Sequence, residues 1–95
     1  MNGLSGKIRK HIYFSGRVQG VGFRYRARYL AQHYGLTGWV KNLWDDRVEM
    51  EVQGEEAAID ALIIGMEQGH FIEISCMEAE MCPVCPDEAG FHIIA

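Results

Sequence analysis

The sequence has no apolar run longer than the four residues 61–64, far short of the ~20 that a membrane-spanning helix needs. No apolar stretch follows Met1 of the kind a secretory signal requires, so the expected location is cytoplasmic. Proline is scarce (two residues) and no tract is of low complexity. With 48% hydrophobic residues the chain can offset the entropy of ordering, which excludes a disordered segment as the whole answer. Cysteine is limited to Cys76, Cys82 and Cys85, too few for a disulfide framework. Cys82-Pro83-Val84-Cys85 has the C-x-x-C spacing, but a structural zinc needs four ligands and there is no second pair. Free thiols in a Pro-kinked loop are expected, with a short-range disulfide between them as the alternative, and no metal. Carboxylates are missing from the first 44 residues: all thirteen lie at or after Asp45, whereas eight of the nine Lys and Arg lie at or before Lys41. The net charge of −4 therefore conceals a basic first half and an acidic second half, which is either a plain dipolar domain or an anion site built from the first half.

Ninety-five residues make one domain, residues 1–95, with 1–7 expected as a flexible N-terminal segment. Residues 8–15 alternate as a strand, with Ile8, Ile12 and Phe14 on one face and Arg9, His11, Tyr13 and Ser15 on the other. A helix is predicted from Phe23 to about Tyr34, where Phe23, Ala27, Leu30, Ala31 and Tyr34 form one stripe and Gly35 stands at the C′ position. Residues 37–41 and 48–53 predict a hairpin, its second strand with Val48, Met50 and Val52 inward and Glu49, Glu51 and Gln53 outward. After Gly54 a second helix runs to about Glu67, then a strand over 71–79 with a bulge near Cys76 and Met77, and a short last strand over 91–94. The order predicts an α+β fold: a mainly antiparallel sheet of four to five strands with both helices packed on one face and the other face wet.

Between the first strand and first helix runs Gly16-Arg17-Val18-Gln19-Gly20-Val21-Gly22-Phe23-Arg24. Glycines at such a junction let consecutive N–H groups converge, and the helix start adds unpaired donors and partial positive charge, which is how a backbone cradles phosphate. The segment is not a nucleotide loop: the G-x-x-x-x-G-K-[ST] pattern fails at Val21 and the G-x-G-x-x-G pattern at Tyr25. Arg24, Arg26 and Arg28 fall in the first two helical turns, where the helix dipole disfavours cations by about 0.3–1 kcal/mol each. Cations at that end point to an anion, with Arg24 placed to turn into the loop and Arg26 and Arg28 on the solvated side. Taken alone, each of these features also fits a plain turn and solvated surface arginines, and Asn42 fits an ordinary turn residue. Trp39 and Trp44 fit packing, and no Ser-His-Asp, H-E-x-x-H or paired-carboxylate pattern occurs.

The nine-residue segment, Gly38-Trp39-Val40-Lys41-Asn42, Asp45, Arg47-Val48-Glu49 and Gln53-Gly54 together resemble the acylphosphatase family over nearly the whole chain. The resemblance implies a ferredoxin-like α/β sandwich. It also implies metal- and cofactor-independent hydrolysis of the carboxyl-phosphate bond of acyl phosphates to carboxylate and inorganic phosphate. Under it, Arg24 is the phosphate-binding arginine, Asn42 orients the attacking water, and Arg17, Val18, Gln19, Gly20, Val21, Gly22 and Phe23 form the phosphate-binding loop. Asp46 departs from the family, which usually has Gly there, so a differently shaped hairpin turn is expected. The implied partners are a small acyl phosphate and inorganic phosphate, with no nucleic acid or membrane, acting on a monomer. The alternative is a non-catalytic anion- or RNA-binding ferredoxin-like module. Glu49 and Glu51 on the expected open sheet face count against RNA.

Overall fold

Alternating and 3.6-residue apolar periods partition the chain, and the computed structural model, which describes residues 6–94, places seven elements accordingly. They are β1 (Lys7–Arg17), α1 (Phe23–His33), β2 (Thr37–Asn42), β3 (Val48–Glu55), α2 (Glu56–Glu67), β4 (Glu73–Cys82) and β5 (Phe91–Ile93). The sheet order is β4-β1-β3-β2-β5, antiparallel at every pairing except β2 with β5. Ile12, Phe14, Val40, Val48, Met50 and Val52 share one sheet face and join Phe23, Ala27, Ala31, Ile59, Leu62 and Met66 of the helices in one core. Both helices thus cover one face of the five-stranded sheet, the ferredoxin-like arrangement. Among the described residues no helix is long and apolar enough to cross a membrane.

Strand register sets where Asn42 stands. Phe14 pairs with Val48 and Val48 with Asn42, so these three lie in one row across β1, β3 and β2, on the helix-covered side. The Phe23 ring packs on Phe14 at 5.0 Å between centroids. The first residue of α1 is thereby seated over the row that ends in Asn42.

The fold departs from the expectations at several points. The N-terminal segment expected to be flexible lies outside the described residues up to residue 5, and Lys7 already belongs to β1. β4 runs to Cys82, and its irregularity sits at Ser75, the residue left over between the pairs Ser15–Cys76 and Gly16–Ile74. The uncovered face is not uniformly wet. Residues 83–90 fold back across one end of it and bury Arg9 and Gln53. Gln53 clamps this strap by donating from Nε2 to the Cys85 carbonyl (2.9 Å) and accepting from the Cys85 N–H at Oε1 (2.7 Å). Arg9 donates to Glu51 (2.6 Å) and in a fork to Glu88 (2.7 and 3.1 Å). Alternation by itself carried no sign of this cover, because it reports the faces of a strand and not what a distant loop lays on them. Arg26 is likewise not on a solvated side: its Nε donates to the Gly65 carbonyl at 2.9 Å and staples α1 to α2. Cys76, Cys82 and Cys85 are free thiols, and burial pushes the Cys82 thiol above its ordinary range.

Candidate active site

Five residues connect β1 to α1. Val18 is buried and Val21 packs against the core, so two apolar anchors pin the loop to the domain. Gly20 (φ 74°) and Gly22 (φ 78°) take left-handed conformations, in which an L side chain is strained even though a Cβ at either would meet open space. Gly22 caps α1 without a side-chain hydrogen bond. Among the described residues, none of the N–H groups from Gln19 to Tyr25 donates to a backbone carbonyl; the first such bond runs from Arg26 to Gly22 (3.0 Å). Seven consecutive donors without a backbone acceptor thus lie at a positive helix end. The first turn of α1 contains no acid, whereas α2 begins with Glu56 in the ordinary stabilising position.

Arg24 is the second residue of α1, half-buried, and no carboxylate among the described residues pairs with it. Arg28 instead lies over the Tyr25 ring at 5.4 Å, and Arg17 is exposed at the end of β1, opposite Glu73. Across the loop stands the β2–β3 hairpin. Gln19 Nε2 donates to the Leu43 and Arg47 carbonyls, each at 2.8 Å, which ties the loop to the residue next after Asn42. Asn42 Oδ1 is buried and has no hydrogen-bond partner. An unpaired buried acceptor costs about 1–3 kcal/mol, and a strand end gains nothing from it, so folding supplies no reason for asparagine at this position. In the adjoining turn, desolvation raises the Asp45 carboxyl, but the Arg47 guanidinium (Nε, 2.8 Å) and the Arg47 N–H outweigh it and hold the group below its ordinary range. Asp46 adopts φ 73°, the left-handed conformation that glycine takes without strain.

Most of the chain matches known proteins. Residues 10–93 fit the acylphosphatase family model. The chain belongs to the acylphosphatase family. An acylphosphatase of Geobacillus thermodenitrificans is 47% identical over 87 residues, covering 90% of this chain and 93% of its own length. One from Anaeromyxobacter dehalogenans is 50% identical over 91 residues, covering 95% and 98%. The solved acylphosphatase of Coxiella burnetii superposes with a TM-score of 0.87 at 33% identity, over 99% of this chain and all of that one.

Within this acylphosphatase fold the structure brings together Gln19, Leu43 and Arg47, and seats Phe23 over the row of Phe14, Val48 and Asn42. No hydrogen bond or ion pair links Arg17 to the loop among the described residues. The side chain of Gln19 escaped the sequence reading, which used only its backbone; a polar residue between a buried valine and a glycine bears no mark of a partner 24 positions away. A groove of about 390 Å³ elsewhere, lined by His11, Tyr13, Glu78, Ala79 and Glu80 on the open sheet face, is acidic and repels phosphate. Among the described residues no group of three or more His, Cys, Asp and Glu side chains is arranged to hold a metal ion.

Proposed function

We propose that the donors from Gln19 to Tyr25, together with Arg24, hold the phosphoryl group of an acyl phosphate while Asn42 orients the water that attacks it. The chain is an acylphosphatase by family, and the chemistry explains why so few side chains are needed. Water adds to phosphorus, the bond from phosphorus to the acyl oxygen breaks, and its electron pair leaves on a carboxylate. That carboxylate's conjugate acid has a pKa of roughly 4, so it departs without a general acid. Catalysis is then positioning plus stabilisation of charge spread over three phosphoryl oxygens. Convergent N–H groups supply that stabilisation without rearranging during the reaction. The planar fork of Arg24 can engage two oxygens at once, which an ammonium does not.

The observation that carries the reading is the pairing of seven N–H groups without backbone partners at a helix start with an unpartnered Asn42 Oδ1 on the hairpin that Gln19 ties to the loop. A carboxamide offers both an acceptor for a water proton and a donor for a phosphoryl oxygen, and rotation about its last bond exchanges the two. The proton lost by the water passes to a phosphoryl oxygen or to solvent, so no protein base is required. The substrate is a small molecule; the protein acts as a cytoplasmic monomer with no nucleic acid or membrane partner. Hydrolysis of benzoyl phosphate tests the scheme. Arg24→Gln is expected to lose at least ~10²-fold in kcat/KM, the scale of a lost charge-stabilising donor. Asn42→Ala should lower kcat while competitive inhibition by inorganic phosphate stays close to wild type. Near-normal turnover in Asn42→Ala would remove the water-orienting role.

A further inference from the structure

Gln19 contributes more than a backbone donor. Its Nε2 spans from the phosphate loop to both sides of the hairpin neck, at 2.8 Å to Leu43 O and 2.8 Å to Arg47 O. The neck is itself closed by the Leu43 N–H donating to Arg47 O at 2.8 Å, so the amide grips a turn that is already formed. A carboxamide nitrogen carries two protons, and each has its own carbonyl. Among the described residues no other side-chain hydrogen bond joins the loop 18–22 to another element.

We infer that Gln19 is a positioning residue that fixes the hairpin bearing Asn42 against the phosphate loop, so that cradle and water-orienting group address the same phosphorus atom. The inference rests on the proposed roles of Arg24 and Asn42. Leu43 and Arg47 are half-exposed, so water can satisfy both carbonyls; folding has little need of an amide there. Alignment does need it. Val18 and Val21 anchor the loop to the core without the crosslink, whereas Asn42, directly bonded in sequence to Leu43, is tied to that loop by no other side-chain hydrogen bond among the described residues. The cradle's own N–H groups do not depend on the bridge, so phosphate binding and turnover separate when the bridge is cut.

The test uses Gln19→Met, which keeps length but has no donor, and Gln19→Glu, with benzoyl phosphate as substrate and inorganic phosphate as competitive inhibitor. For Gln19→Met, kcat is expected to fall roughly 10- to 100-fold, the effect of a small misplacement of a reacting group, with the phosphate inhibition constant moving less than about threefold. Gln19→Glu should lose at least as much kcat at neutral pH, and because its carboxylate also repels phosphate the inhibition constant is read on Gln19→Met alone. The kcat of Gln19→Glu relative to wild type should then rise as pH falls through the carboxylic range, because the protonated carboxyl regains one O–H donor. Protonation also relieves repulsion between the carboxylate and the two carbonyl oxygens, so the folded fraction is followed by circular dichroism at each pH. Recovery of kcat at constant folded fraction supports the bridge, and recovery that only tracks refolding counts against it. The inference is overturned by wild-type kcat in Gln19→Met, by phosphate inhibition lost in step with kcat, or by a flat pH ratio in Gln19→Glu. A wild-type protein that leaves benzoyl phosphate intact overturns the underlying reading instead, and this inference with it.

Discussion

Replacing Arg9 by Met tests whether the strap over the open sheet face is held by charge. The guanidinium retains 3% of its side-chain exposure and bonds Glu51 at 2.6 Å and Glu88 at 2.7 Å. Removing one partner of a buried ion pair costs about 3–5 kcal/mol, because the remaining charges lose their compensation. Glu51 and Glu88 keep 21% and 18% exposure and can recruit water, and His11 Nδ1 still lies 2.8 Å from Glu51, so the lower end, about 3 kcal/mol, applies. In a domain of this size that is a fall in Tm of roughly 12–24 °C. The loss should also depend on pH. The Arg9 hydrogen bonds hold the Glu88 carboxyl below its ordinary range despite desolvation, which opposes them. A carboxyl lowered on folding contributes stability above its unfolded pKa and loses it as pH falls through the folded value. The gap between wild type and Arg9→Met should therefore be full at neutral pH and shrink in acid, once Glu88 is protonated in both. Urea titrations at the two pH values measure it. A neutral-pH difference below about 1 kcal/mol, or an equal difference in acid, would refute the account.

Two other substitutions probe the backbone that shapes the site. Gly38 has φ 139° and a Cβ there would lie 1.9 Å from the Glu51 carbonyl oxygen, so Gly38→Ala should cost about 3 kcal/mol or more through strain and overpacking, read by urea titration. A stability within error of wild type would show that β2 and β3 can part without loss. Asp46→Gly should stabilise the protein by about 0.5 kcal/mol, since relief of the left-handed conformation slightly exceeds the entropy glycine adds to the unfolded chain. A lower Tm would assign the Asp46 side chain a role that its exposed position does not suggest.

Local chemistry made much of the protein legible from residues alone. The alternation of Ile12 and Phe14 and of Val48, Met50 and Val52 marked strands and their inward faces, and the stripe of Phe23, Ala27 and Ala31 marked the helix above them. Glycine spacing and cations at a helix start marked the loop as a candidate anion cradle, because backbone strain and dipoles act within a few residues. The slip in β4 was visible too, displaced by about one residue from its place at Ser75.

What the linear order left open was set by contacts between distant segments. The row that aligns Asn42 with Phe14 arises only when β3 inserts between β1 and β2. The bridge from Gln19 to residues 43 and 47, the staple from Arg26 to Gly65 and the burial of Arg9 beneath residues 83–90 all join positions at least 24 apart. Periodicity reports which way a side chain faces, since that is fixed by backbone geometry; it carries nothing about what the folded chain brings to meet it. The loop and the asparagine of the proposed site were therefore written in the residues of this acylphosphatase, and the tie between their two segments was decided by tertiary packing.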